Sequence, residues 1–97
     1  MENQMSDDQK KAVRVIAQKE GDGWIANCVE YDICAQGSDL GQVRRRLEVA
    51  LQIECEISEQ KTGKPFGGIP ASPAIYEALY NEAEESLTSE LDFRIAA

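Results

Sequence analysis

The chain has 97 residues, 42% of them hydrophobic, and 18 acidic against 10 basic side chains give a net charge of −8. That length makes one domain with an adequate but not generous core, and the acidic balance argues against a phosphate-binding surface as the main purpose. There is no histidine, which removes Ser-His and Cys-His nucleophilic sites, histidine-ligated zinc and the commonest general base.

Residues 1–11 carry charge without an apolar stretch behind it, so they are expected to be a flexible lead-in and not a secretory signal. No apolar run approaches membrane-spanning length. Residues 12–58 are expected to form a βββα core. In 12–19, Val13, Val15 and Ala17 alternate with Arg14 and Gln18, and only Ile16 breaks the pattern of a first strand. The Asp22-Gly23 pair in EGDGW is a hairpin-turn signal, because both residue types tolerate positive φ. A second strand follows, with Trp24, Ala26 and Cys28 on one face and Ile25, Asn27 and Val29 on the other. The small Ala26 and Cys28 beside Trp24 would let a helix approach that first face closely. After an acidic bend at Glu30, Tyr31 and Asp32, DICAQG reads as a third strand closed by Gly37.

The clearest helix spans 39–58. Asp39 can cap it, with Gln42 reaching back as in a capping box. Leu40, Val43, Leu47, Ala50 and Leu51 form its apolar stripe, continued less cleanly by Ile53, Cys55 and Ile57. Residues 59–73 contain three prolines and three glycines, too many for a regular element. A second amphipathic helix is expected from Ala74 to about residue 87, with Tyr76, Leu79, Tyr80, Ala83 and Leu87 along one side and Glu77, Glu84 and Glu85 elsewhere. The tail LDFRIAA is a candidate last strand. There is no internal repeat and no low-complexity stretch, so 1–97 is read as a single domain ending in the segment 74–97.

The order strand-strand-strand-helix, with its particular residues, resembles the HicB-like antitoxin family. The matching positions are Gly23-Trp24-Ile25-Ala26, then Gln36-Gly37-Ser38-Asp39-Leu40 entering the helix, then Val43, Leu47, Ala50 and Leu51. Two departures stand out. Cys28-Val29-Glu30-Tyr31-Asp32 occupies the place of a Pro-x-Leu-Pro-Gly bend frequent in the family. The segment after Pro73 is also expected to be too short for the helix-turn-helix or ribbon-helix-helix module that many members carry. The resemblance implies a truncated ribonuclease-H-like sheet that binds proteins without chemistry. In the paired systems such a protein neutralises HicA, a small basic ribonuclease, and an acidic cover for a basic RNA-binding surface is electrostatically sensible.

Several features invite a sharper chemistry. Glu30 and Asp32 could hold a divalent metal, as carboxylates do in two-metal hydrolysis. Such a site needs further carboxylates, however, and the first strand contributes none, so a solvated bend is the favoured reading. The run Arg44–Arg46 could meet phosphates, but lying between core positions Val43 and Leu47 it is expected to face solvent, or an acidic patch on a second copy. Cys28, Cys34 and Cys55 are an odd number without framework spacing, expected to be reduced thiols in a cytoplasm. Trp24 and the tyrosines lack the interleaved basic residues of a single-strand binder and are read as core or interface.

The expected fold is α+β in two layers. A three- to four-stranded, mainly antiparallel sheet carries a helix on one face, with a C-terminal helix besides. The expected function is that of a non-catalytic protein-binding regulator with no metal or cofactor, its candidate partner a basic HicA-type toxin. The candidate contact residues are Trp24, Glu30, Tyr31 and Asp32. A homodimer or higher oligomer is expected, through Tyr76, Tyr80 and Phe93, because short sheets leave edges that invite pairing. No specific DNA binding by this chain alone and no membrane association are expected. The alternatives are a nucleic-acid-binding regulator, which would need a basic surface, and a metal-dependent ribonuclease-H-like hydrolase, which would need more carboxylates.

Overall fold

The computed structural model describes residues 13–83, 85–87 and 91–96; the expected lead-in 1–11 lies outside them. Strands β1 (Arg14–Glu20), β2 (Gly23–Cys28) and β3 (Cys34–Gly37) are followed by helix α1 (Leu40–Thr62), helix α2 (Ala74–Glu82) and the short strands β4 (Glu85–Leu87) and β5 (Asp92–Ile95). The sheet order is β3-β2-β1-β5-β4. The pairs β1/β2, β2/β3 and β4/β5 are antiparallel and β1/β5 is parallel. The molecule is therefore α+β, with a mixed sheet and a helix packed on it.

The strand alternation lays Val15, Ala17, Ala26, Cys28 and Phe93 on one face, where Val43, Leu47 and Leu51 of α1 cover them. Leu47 and Phe93 are fully buried, each worth about 1.5–3 kcal/mol in removed apolar surface. Gly37 sets the approach of α1 to the sheet. A Cβ there would lie 2.9 Å from Val43 Cγ2 and 3.1 Å from the Val43 nitrogen, so no side chain fits without moving the helix start. Asp39 caps that start by accepting from the Gln42 amide at 2.8 Å. The Gln42 side chain accepts from the Ser38 amide at 2.7 Å, one residue earlier than a capping box would have it.

Four expectations are corrected. The hairpin loop is Gly21–Asp22, because Glu20 pairs with Gly23. Gly21 supplies the positive φ of 60°, as the first position of a type II′ turn requires. Helix α1 runs a full turn beyond residue 58 and ends at Gly63, whose left-handed φ of 80° lets its amide cap the Glu59 carbonyl. Helix α2 stops at Glu82, and 85–87 pairs with β5 in place of a helical continuation. The sheet has five strands, not three or four, and α2 partly covers its second face. Ile16, the residue that broke the alternation of β1, is fully buried there with Val29 and Tyr80. The central strand is buried on both sides, and such strands do not alternate.

Candidate functional site

The bend after β2 and the Pro/Gly-rich loop after α1 are knitted together. The Asp32 amide donates to the Pro70 carbonyl at 3.0 Å and the Ser72 amide to the Glu30 carbonyl at 3.4 Å. Tyr31 makes an isolated antiparallel bridge with Ala71. The Tyr31 and Phe66 rings stack at 4.5 Å with an interplanar angle of 16°. Phe66 has a φ of 60°, a left-handed conformation that a bulky residue adopts only when its surroundings hold it there. The stack on Tyr31 and packing against the main core hold it there.

This clamp leaves a groove of about 390 Å³ between the loop and the C-terminal half of α1, with Asp32, Glu54, Ile57, Ser58, Lys61 and Ile69 among its walls. Asp32 and Ile57 are exposed, and Ile69 and Glu54 are half-buried. Two carboxylates and a single lysine, Lys61, thus stand beside isoleucine surface in an open recess of net negative charge. That chemistry suits a basic side chain with an aliphatic stem, whose charge meets carboxylate while its methylenes lie on apolar wall.

The expected contact residues do not form one patch. Trp24 lies at the far end of β2 from the bend, half-buried, with Lys19 Nζ 5.1 Å above its ring. Glu30 is not a free bend carboxylate. Its Oε2 accepts from Arg14 Nε at 2.6 Å and its Oε1 from the Arg14 amide at 3.3 Å. That pairing holds the Arg14 guanidinium above its ordinary pKa, chiefly through the hydrogen bond to Glu30. Arg14 also reaches Glu77 at 3.6 Å and lies 5.4 Å from the centre of the Tyr80 ring. Arg94 covers the same ring at 4.1 Å. Glu30 therefore belongs to a charged cluster that fastens α2 to the sheet, while Asp32 belongs to the groove beside α1. Tyr31 is present as the ring that seats Phe66.

The residues expected at an oligomer interface are placed otherwise. Phe93 is fully buried and Tyr80 nearly so, so their apolar area is used inside the chain. Tyr76 is half-buried against the same cluster as Tyr80. In the basic run, Arg44 pairs with Glu48 at 3.7 Å and Arg46 Nη1 donates to the Gln36 carbonyl at 3.0 Å, leaving Arg45 exposed. Cys28 is buried, and desolvation pushes its thiol up to about 12, with smaller contributions from Glu30 and Cys34. That leaves it uncharged and unreactive at neutral pH. Cys34 is exposed and Cys55 half-buried, and all three thiols are free. Among the described residues, no group of three or more Asp, Glu or Cys side chains is placed to hold a metal ion. No helix among them is long and apolar enough to cross a membrane.

Sequence reasoning missed Phe66, Glu54 and Ile57. Phe66 had a signal, as the one aromatic residue in the loop 59–73. Glu54 and Ile57 had none, because only the return of the loop onto α1 gives them a common groove. No family model matches the chain, and neither a curated protein nor a solved structure matches it.

Proposed function

We propose that this chain is a non-catalytic, HicB-like protein-binding regulator that acts by covering a basic partner, with a small HicA-type ribonuclease as the first candidate. The observation that carries the reading is the groove in which Asp32 and Glu54 stand beside Ile57 and Ile69. Glu30, the other carboxylate of the bend, is held by Arg14 at 2.6 Å, which supports a structural over a metal-binding use. The net charge of −8 would speed encounter with a basic protein and slow encounter with nucleic acid. The meander of β1, β2 and β3 leading into a capped helix is compatible with a truncated ribonuclease-H-like sheet.

The test is co-expression of the full chain with a HicA-type ribonuclease, above all one encoded beside it. Co-purification and loss of RNA cleavage are expected. Asp32→Lys with Glu54→Lys should weaken the complex by at least tenfold, because both carboxylates would then repel the partner. Failure to bind any such protein, or magnesium-dependent RNA cleavage by the chain alone that is lost in Asp32→Ala, would overturn the proposal.

A further inference from the structure

Helix α1 carries a second apolar surface that the core does not use. Val49, Ile53 and Ile57 recur every four residues and are 55%, 49% and 39% exposed. Four-residue spacing puts them on one flank of the helix. That flank faces the β3 edge of the sheet, because Arg46, on the same side one turn earlier, donates to the Gln36 carbonyl at 3.0 Å. At the other end of the strand, Ile33 and Ile57 share the walls of one groove. The stripe therefore runs alongside β3, which is the last strand of the sheet.

The β3 edge is open to pairing. Cys28 donates to the Ile33 carbonyl at 3.0 Å, and antiparallel ladders alternate between bonded and non-bonded pairs. In the observed register of Ala26 with Ala35 and Asn27 with Cys34, Ala35 is then bonded inward. The amides and carbonyls of Cys34 and Gln36 point outward, and the Gln36 carbonyl, which accepts from Arg46 Nη1 at 3.0 Å, keeps a second lone pair for a neighbouring strand. The strand reads Cys-Ala-Gln-Gly and has no charge and no proline, the usual devices that keep an edge from pairing.

We propose that this edge and this stripe form a two-fold interface with a second copy of the chain, joining β3 to β3 antiparallel and α1 to α1. Three observations favour that occupant over any other. A two-fold axis at Ala35 pairs the outward groups of Cys34 with those of Gln36. The same axis falls near the middle of the α1 stripe, because the helix passes from Arg46 beside Gln36 to Ile57 beside Ile33. Antiparallel helices related about that point bring Val49 of one copy against Ile53 of the other, and Arg46 against Glu56. In the N-terminal half of α1 Glu48 offsets Arg44 and leaves Arg45 and Arg46, and in the C-terminal half Lys61 offsets one of Glu54, Glu56 and Glu59, so the halves stay net basic and net acidic and the antiparallel arrangement matches their charge. Spacing agrees as well. A helix set over β2 and β3 lies about one strand spacing, ~4.8 Å, from the axis, which puts the two helices about 10 Å apart, within their usual packing distance.

Sedimentation equilibrium on the full chain tests this, with a mass near twice 10.7 kDa expected at micromolar concentration. Ile53→Lys should yield monomers with unchanged circular dichroism, since that side chain is exposed in the single chain. Ile75→Lys, an exposed apolar residue on α2, should leave the dimer intact. Glu56→Arg should weaken association roughly tenfold through two symmetry-related pairs, and adding Arg46→Glu to it should restore association. A monomer at about 100 μM, or a dimer that survives Ile53→Lys and dissociates on Ile75→Lys, would overturn the proposal.

Discussion

Cys28 shows how burial decides a side chain's chemistry. It is fully buried at the end of β2, in the core that α1 covers, and its thiol is pushed up to about 12 by desolvation. Alkylation at pH 8 should therefore label the exposed Cys34 first, and mass spectrometry should find Cys28 modified only after denaturant is added. A raised pKa stabilises the fold fully below the ordinary value of 9.0 and less as pH climbs towards about 12. Tyr80 adds to the same alkaline loss, its phenol raised first by desolvation and then by its hydrogen bond to Asp92. Thermal melts should thus fall steeply above pH 9, and Cys28→Ala should flatten the first part of that fall. A midpoint constant from pH 7 to 11 would contradict the burial argument.

At the scale of elements, two short-range devices position the groove. The Asp39 cap begins α1, and Asp39→Ala should cost about 1 kcal/mol, read as a lower urea midpoint with an unchanged slope. The Tyr31–Phe66 stack holds the loop 63–73 against the bend. Aromatic pairs contribute about 1 kcal/mol beyond their buried area, and here the pair also offsets the left-handed strain at Phe66. Tyr31→Ala should release the loop, so that limited proteolysis cuts near Lys64 at least several-fold faster while the core helix stays protected. Equal cleavage rates in the two proteins would show that Pro70 and Ala71 hold the loop without the ring.

For the whole molecule, the second face of the sheet carries its own core. A sheet with one covered face would tolerate truncation of Ile16, whereas burial under α2 with Tyr80 and Val29 makes Ile16→Ala cost about 3 kcal/mol. Urea denaturation distinguishes the two cases, since a loss below about 1 kcal/mol would mean that α2 does not seal that face. Charge at this scale also sets what the protein avoids. Helix α2 carries no basic residue, and of its two glutamates Glu82 is exposed while Glu77 reaches Arg14 of β1; Glu84 and Glu90 lie outside the described residues. The chain should therefore leave its own upstream DNA unretarded in a mobility shift at low salt. Retardation of that duplex but not a scrambled one, abolished by Arg45→Glu, would reverse this expectation.

What the sequence determined by itself is local. Alternation in 13–18 and 24–29, the Asp39 cap and the stripe through Val43, Leu47 and Leu51 identify two strands, a helix and the face on which they meet, because each signal is carried by residues within a turn or a strand of one another. The hairpin was legible only to within one residue, since EGDGW offers two glycines and the pairing of Glu20 with Gly23 chooses between them. Tertiary structure alone decided the parallel pairing of β5 with β1, which joins residues nearly eighty positions apart and leaves no periodic trace. It also decided the burial of Ile16, the capture of Glu30 by Arg14 and the meeting of Asp32 with Glu54. Those contacts depend on which faces the chain brings together. A carboxylate reads the same in sequence whether it ends beside a guanidinium or in an open groove.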